Sequence, residues 1–339
     1  MTSHVDNRDQ LNATQTQAAG SLARFGRRNG LQIGIVGVLA VMWLFFLLAA
    51  PRTFLAPEIY AAFMQTIPLF GIMAVPLTML IIAREIDLSF TSIMAIGMVA
   101  FLQIWQETGS PILGLIACLL TGLAVGALNG FIIVRLGIPS LIATIGTQFL
   151  WRGAVNIITN GRSGVLTDLR DTPFREVLVG KIADYVPMQF LWMIFIALIV
   201  WLILNRHKFG AHVYLIGDNE NSARLMGVSA NRTRITLFAI MGLTAAFAGL
   251  VTSLNISTFW PTLGEGYLLQ TLAAVFLGGT SVFGGVGSIL GTFIGCFIIG
   301  AINAGIVAAG LTGFYTEFIY GLIIIVSVSM HGFVRKRLG

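Results

Sequence analysis

Charge is scarce in this chain. Its 339 residues include only 20 Lys or Arg and 14 Asp or Glu, so 10% are charged, where soluble domains carry about 25%. That excludes an ordinary water-soluble enzyme, a disordered chain and a nucleic-acid reader before any motif is read. Cysteine is scarcer still. Cys118 and Cys296 stand far apart in apolar stretches without a CxxC or Cys/His grouping, which removes a disulfide framework and a zinc site. The four histidines, His4, His207, His212 and His331, are dispersed, and neither HExxH nor GxSxG occurs. No catalytic residue or metal ligand is therefore assigned. GxxxxGK[ST] is also missing, so an ATP-driven process would need its P-loop, with ATP and magnesium, from a partner.

Apolar sequence is what the chain has in abundance. Hydrophobic residues make up 56% and the mean hydropathy is +0.88, which makes a lipid bilayer the solvent for most of it. A spanning helix needs roughly 20 mostly apolar residues. Ten stretches qualify or nearly qualify, and the expected fold is all-α and polytopic. The clearest are Leu31 to Ala50, Ala61 to Ala83, Ile112 to Val134, Met188 to Leu204, Ile235 to Ile256 and Phe314 to Met330. Weaker ones are Ser89 to Ile104, Ser140 to Ile158, Tyr267 to Leu277 and Ser288 to Val307. Tyr267 to Leu277 is too short to span alone and is expected to start earlier or to belong to a broken, re-entrant element.

The net charge of +6 would suggest nucleic acid in a polar protein. Here the basic residues fill gaps between apolar runs, the pattern of the positive-inside rule. Ten spans from a cytoplasmic N-terminus put 14 of the 20 basic residues inside, with Arg24, Arg27 and Arg28 at one end and Arg335, Lys336 and Arg337 at the other. Residues 1-30 then form a cytoplasmic tail, 31-334 a transmembrane domain and 335-339 a second cytoplasmic tail. The first run ends in Pro51-Arg52 with no small-residue cleavage pattern, which favours a retained helix over a secretory signal.

Two loops are long for so apolar a chain: 159-187, expected outside, and 205-234, expected inside. The outer loop mixes Arg162, Arg170 and Arg175 with Asp168, Asp171 and Glu176, either to steer a partner or as a plain solvated surface. In the inner loop a polar start at Gly217-Asp218-Asn219 leads into Asn221 to Met226 and stops at Gly227, the pattern of a short surface helix. Five inner basic residues, Arg206, Lys208, Arg224, Arg232 and Arg234, fall there.

Glycine is plentiful, at 39 residues. Gly122, Gly126 and Gly130 recur at intervals of four, as do Gly287, Gly291 and Gly295. Each trio would line one helix face and allow close packing, within the chain or against another subunit. Polar residues inside spans are Gln65, Asn129, Gln148, Asn156, Asn255, Gln270 and Asn303. They either line a solute path or form interhelical hydrogen bonds. As neutral amides they suit hydroxyl-rich solutes, and they argue against an ion-coupled carrier built on buried carboxylates.

Four motifs then narrow the reading. Ile86-Asp87-Leu88-Ser89 follows the second span. Phe209-Gly210 and Ile216 through Val228 lie in the inner loop. Pro261-Thr262-Leu263-Gly264-Glu265-Gly266-Tyr267 and the glycine-rich Leu277 through Gly287 follow in order. Together they resemble the permease subunits of ribose-type bacterial sugar ABC importers. The resemblance implies a type II importer-like subunit of the bacterial inner membrane that imports a monosaccharide or polyol. It also implies three protein partners: an ATPase with two nucleotide-binding domains, a second permease subunit (the same chain or a paralogue) and a periplasmic sugar-binding protein. Gly217, Asp218, Asn219, Glu220, Ala223, Arg224, Leu225 and Gly227 would then belong to the coupling helix that docks in the ATPase.

The chain departs from that pattern where the family usually has glycine: Glu85, preceded by Arg84, and Thr91. Arg84 and Glu85 are expected to form a surface ion pair. Asp87 or Ser89 is expected to cap the following helix. Permeases for branched-chain amino acids or nucleosides and ion-coupled secondary carriers remain the alternatives.

Overall fold

The computed structural model describes residues 34–308, 310 and 313–338, so Arg24, Arg27 and Arg28 lie outside the described residues. The fold is a helical bundle. In chain order its helices are α1 (Gly34–Ala49), α2 (Pro51–Phe54), α3 (Pro57–Ile82), α4 (Phe90–Thr108), α5 (Pro111–Leu136), α6 (Ser140–Thr159) and α7 (Pro173–Val179). There follow α8 (Met188–Arg206), α9 (Lys208–Asp218), α10 (Glu220–Leu225), α11 (Ala230–Ile256), α12 (Tyr267–Leu277), α13 (Ile289–Ala308) and α14 (Phe314–Leu338).

Local chemistry sets several boundaries. Proline opens α3, α5 and α7 at a position where its missing N–H costs nothing. Ser110 and Thr172 cap the last two with their hydroxyls. Gly109 and Gly137 close α4 and α5 at φ 69° and 67°, a conformation that glycine adopts without steric cost.

Among the described residues six helices, α3, α5, α6, α8, α11 and α13, are long and apolar enough to cross a membrane. Their limits lie close to the apolar runs read from the sequence. The apolar helix Tyr267–Leu277 has 11 residues and would rise only about 16 Å, so α12 does not span alone. It does not begin earlier in the chain, because residues 261–266 are turn. Helix α14 continues to Leu338, so 335-338 belongs to that helix rather than to a separate tail.

Helix α3 sits at the centre, buried along nearly all of its length. Its internal Pro68 and Pro76 are tolerable because neighbouring helices surround the weakened hydrogen-bond ladder. Around it pack α8, α11, α12 and α13.

The tightest crossing is α5 on α11. A side chain at Gly122 or Gly126 would run into Gly242 or the Phe238 carbonyl, and one at Gly130 would meet the backbone of Ile235. This face of α5 packs within the chain. Gly291 and Gly295 of α13 likewise press on the carbonyls of Gly278 and Ala274 at the end of α12. Gly287 does not belong with them: α13 starts at Ile289, and Gly287 lies in the preceding turn against Ile82 and Thr280.

The long loops carry structure of their own. Segment 159-187 holds α7 and a short hairpin, Lys181–Ile182 with Val186–Pro187. Its Gly164–Val165 pairs antiparallel with Thr258–Phe259 after α11. Segment 205-234 is mostly helix, since α9, α10 and the start of α11 occupy it.

Candidate coupling interface and solute path

The α9–α10 elbow is built from local signals. The imidazole Nδ1 of His207 accepts from the amide of Phe209 at 3.1 Å and starts α9. Asn219 is extended, with φ at −153°, which breaks the helix. Its side-chain oxygen then accepts from Ser222 N at 3.0 Å and restarts it as α10. Gly227, at φ 82°, turns the chain away. The motif thus forms two helices meeting at Asn219, not one running from Gly217 to Gly227. Ala223 is buried with Ile216, Val228 and Ala230 in a small core of its own. Leu225 and Met226 face outward, 90% and 67% exposed.

One side of the elbow is fastened to α3 and to the glycine-rich turn after α12. Gly217 lies so close to the Ile82 carbonyl and Gly285 that no side chain fits there. Gly285 N donates to Ile82 O at 2.9 Å, and the Tyr214 hydroxyl donates to Gly287 O at 2.9 Å. Arg84 joins all three segments: its Nε donates to Phe283 O at 2.8 Å and its Nη2 to Asp218 O at 2.7 Å. Arg84 itself has φ 64°, so the left-handed position in this turn falls on Arg84 rather than Glu85.

The other side is fastened by charge. Glu220 accepts both ends of the Arg234 guanidinium, at 3.1 and 2.6 Å, and also Arg224 at 2.8 Å. Arg224 reaches on to Asn231 at 2.8 Å. The Nε of Arg234 lies 2.6 Å from Glu85 in an ion pair, without the alignment of a hydrogen bond. Glu85 therefore pairs with Arg234 and not with Arg84, because the turn sends the two neighbouring side chains in different directions.

The two carboxylates on Arg234 shift in opposite senses. Burial pushes the Glu85 carboxyl above its ordinary value, although Arg234 opposes this. Partial burial also acts to raise Glu220, but hydrogen bonds from Arg224 and Arg234 outweigh it and hold that carboxyl below the ordinary value. Beside the network is a polar cleft of ≈ 580 Å³ lined by Arg84, Glu85, Ser140, Arg224, Asn231 and Arg234, among others.

From Glu85 the chain runs inward through Ile86 to Ser89. Ile86 is clasped by α6, its N–H donating to Ser140 Oγ at 3.0 Å and its carbonyl accepting from Thr144 Oγ1 at 3.2 Å. Asp87 Oδ1 accepts from the amide and hydroxyl of Ser89 at 2.8 and 2.6 Å. Asn129 Nδ2 of α5 donates to that hydroxyl at 2.7 Å. Ser89 is the N-cap of α4, but neither it nor Asp87 caps the first-turn amides. Their side chains are tied to each other and to α5 instead.

Arg152 is a hub within α6. Its guanidinium donates to the carbonyls of Thr91 at 3.1 Å, Leu263 at 3.0 Å and Pro261, and it pairs with Glu265 at 3.4 Å. It joins α4, α6 and the 261–266 turn, where Gly264, at φ 97°, backs onto Thr91. An arginine within an otherwise uncharged helix was the available signal for this role.

The other amides are dispersed. Asn255 accepts weakly from Gln189 at 3.4 Å and lines a cleft of ≈ 670 Å³ near α7. Asn303 lines a different groove of ≈ 400 Å³ with Thr53 and Thr66. Gln65, Gln148 and Gln270 are half-buried on α3, α6 and α12, and Asn156 is exposed on α6.

Comparison with known proteins places this architecture. Residues 59–328 match the family described as branched-chain amino acid transport system / permease component. The ribose import permease protein RbsC of Escherichia coli is 33% identical over 82% of this chain and 87% of its own. The corresponding protein of Bacillus subtilis is 31% identical over 81% and 85%. The autoinducer 2 import system permease protein LsrC of Yersinia pseudotuberculosis is 30% identical over 88% and 84%. No solved structure matches. With most of its length covered by these matches, the chain belongs to the branched-chain amino acid transport system permease family.

Proposed function

We infer that this chain is the transmembrane permease subunit of an ATP-driven importer that moves a monosaccharide or related polyol across the bacterial inner membrane. The observation that carries this reading is the extended similarity to import permeases named for ribose and for autoinducer 2. Among the described residues the elbow of α9 and α10 supplies the place where energy would enter.

In this account the bundle makes ten passes, one of them a broken element to which α12 belongs, with both termini cytoplasmic. Residues 1-30 form a cytoplasmic tail, and 31-334 hold the permease domain. The elbow faces the cytoplasm, and the segment holding α7 faces the periplasm. A partner ATPase with two nucleotide-binding domains holds ATP and magnesium and takes Leu225, Met226 and the surrounding turn into a cleft. A second permease subunit completes the path, and a periplasmic binding protein delivers the solute.

ATP-driven closure of the partner would pull the elbow along two routes. One runs through Gly217, Asp218 and Arg84 to α3 and to the turn before α13. The other runs through Glu220 and Arg234 to Glu85, and from there along Ile86–Ser89 to α4 and α5. Tight solute binding by the permease is unnecessary when selection occurs in the binding protein, which suits dispersed amides. Coexpressing the chain with its ATPase and binding protein, then comparing uptake of labelled monosaccharides and branched-chain amino acids, tests the function. Monosaccharide uptake that depends on all components supports it, and uptake of amino acids alone refutes it.

A further inference from the structure

Asp87 is the one described carboxylate that is fully buried without a basic partner. Its Oδ1 is satisfied by Ser89, but its Oδ2 has no partner. Asn129, 1% exposed, repeats the pattern: its Nδ2 donates to Ser89 Oγ, and its Oδ1 has no partner. One hydroxyl therefore stands between two side chains, each with a buried acceptor left over.

Among the described residues no positive charge is free to compensate Asp87. Arg84 is spent on the Phe283 and Asp218 carbonyls. Arg234 of α11 lies on Glu85 and Glu220, and Arg152 of α6 holds three carbonyls and Glu265. Arg135 of α5, Arg232 of α11 and Glu107 of α4 are exposed. An isolated carboxylate in such a place is very costly and is neutralised instead.

We infer that Asp87 is a proton-binding site: in mildly acidic solution the folded permease holds this carboxyl as the neutral acid, and its Oδ2–H donates to Asn129 Oδ1. The proton comes from solvent as the cluster closes, forms one O–H bond and breaks none in the chain. It satisfies both leftover acceptors at once. A hard metal cation takes about six oxygen ligands. Among the described residues, this cluster leaves two side-chain oxygens open, Asp87 Oδ2 and Asn129 Oδ1.

The position gives the proton a consequence. Ile86–Ser89 links the Glu85–Arg234 ion pair to the start of α4, so the proton locks the inner end of that link to α5. A movement that lets water reach the cluster releases the proton, and opening becomes easier as pH rises.

The test uses the full permease in detergent micelles. In the infrared spectrum of protein carrying labelled aspartate, a protonated carboxylic acid band should be present at mildly acidic pH and should fade as pH rises through about 6. The other described aspartates, Asp168, Asp171, Asp184 and Asp218, are exposed, so the comparison with Asp87→Asn identifies the buried group. Asp87→Asn should abolish the band. It should also remove a stability component that, in the unsubstituted protein, falls by up to about tenfold in the folding constant per pH unit between the ordinary aspartate range and the Asp87 titration. Should Asp87→Asn fail to fold, the band of the labelled unsubstituted protein decides alone. Absence of the band, a band that survives Asp87→Asn, or identical pH profiles for the two proteins would overturn the assignment. Stabilisation by sodium that Asp87→Asn abolishes would also overturn it, in favour of a cation site.

Discussion

Arg234, on α11, holds Glu85 at 2.6 Å on one edge and Glu220 at 2.6 and 3.1 Å on another. One guanidinium thus ties the turn between α3 and α4 to the elbow. Glu85 is only 5% exposed, so the pair is mostly withdrawn from water. Removing one partner of a buried pair strands the other's charge and costs about 3–5 kcal/mol. Arg234→Ala should therefore lower the melting temperature of the purified permease sharply. Adding Glu85→Gln should recover part of the loss. Equal melting temperatures for the unsubstituted protein and Arg234→Ala would show that the bridge contributes nothing.

The opposite shifts at Glu85 and Glu220 predict opposite pH slopes. Glu220 is depressed, so its contribution is present above the ordinary carboxylate range and is lost as pH falls through its folded value. Glu85 is raised, so its contribution is greatest at low pH and is lost as pH rises through its folded value. Melting temperature measured against pH should lose its acid-side fall in Glu220→Gln. In Glu85→Gln it should lose a decline toward neutral pH. Slopes of the same sign in both variants would contradict this assignment.

Gly217 has no room for a methyl group, because it would strike the Ile82 carbonyl. Gly217→Ala should displace the elbow and abolish uptake while the bundle still inserts. Gly153→Ala is the control, since nothing lies near that position. Uptake assays alongside membrane fractionation separate the two, and normal uptake by Gly217→Ala would refute the close fit.

Gly126 faces the Phe238 carbonyl across the α5–α11 crossing. Replacing it with Leu should force these helices apart and reduce folded protein severalfold, with a loss of about 1–3 kcal/mol or more from overpacking. Detergent-solubilised yield and size-exclusion profile report this directly.

The long helices were legible because long apolar runs leave few alternatives in lipid. Met188 to Leu204 and Ser140 to Ile158 end within about two residues of the observed helices. The α5 glycine face was legible for the same physical reason, since spacing of four defines a helix face. Gly287 misled because equal spacing continues past a helix start that spacing cannot reveal.

The elbow was legible as a motif, but its fastenings were not. Arg84 reaches Phe283 and Asp218, and Arg234 reaches Glu85, through contacts between segments distant in sequence. The amides were identified as polar groups in lipid, yet nothing in one sequence says that Asn129 meets Ser89 while Asn303 lies in a separate groove.

As proposed, the α9–α10 elbow passes force from a partner ATPase into the bundle. The most direct measurement is sugar uptake together with ATP hydrolysis, in proteoliposomes holding the permease, its ATPase and its binding protein. It compares the unsubstituted chain with the Glu220→Ala, Arg224→Ala double variant. The account predicts that the variant inserts and assembles, and that ATP hydrolysis continues while uptake falls at least tenfold. Unchanged uptake by correctly inserted double variant would contradict it.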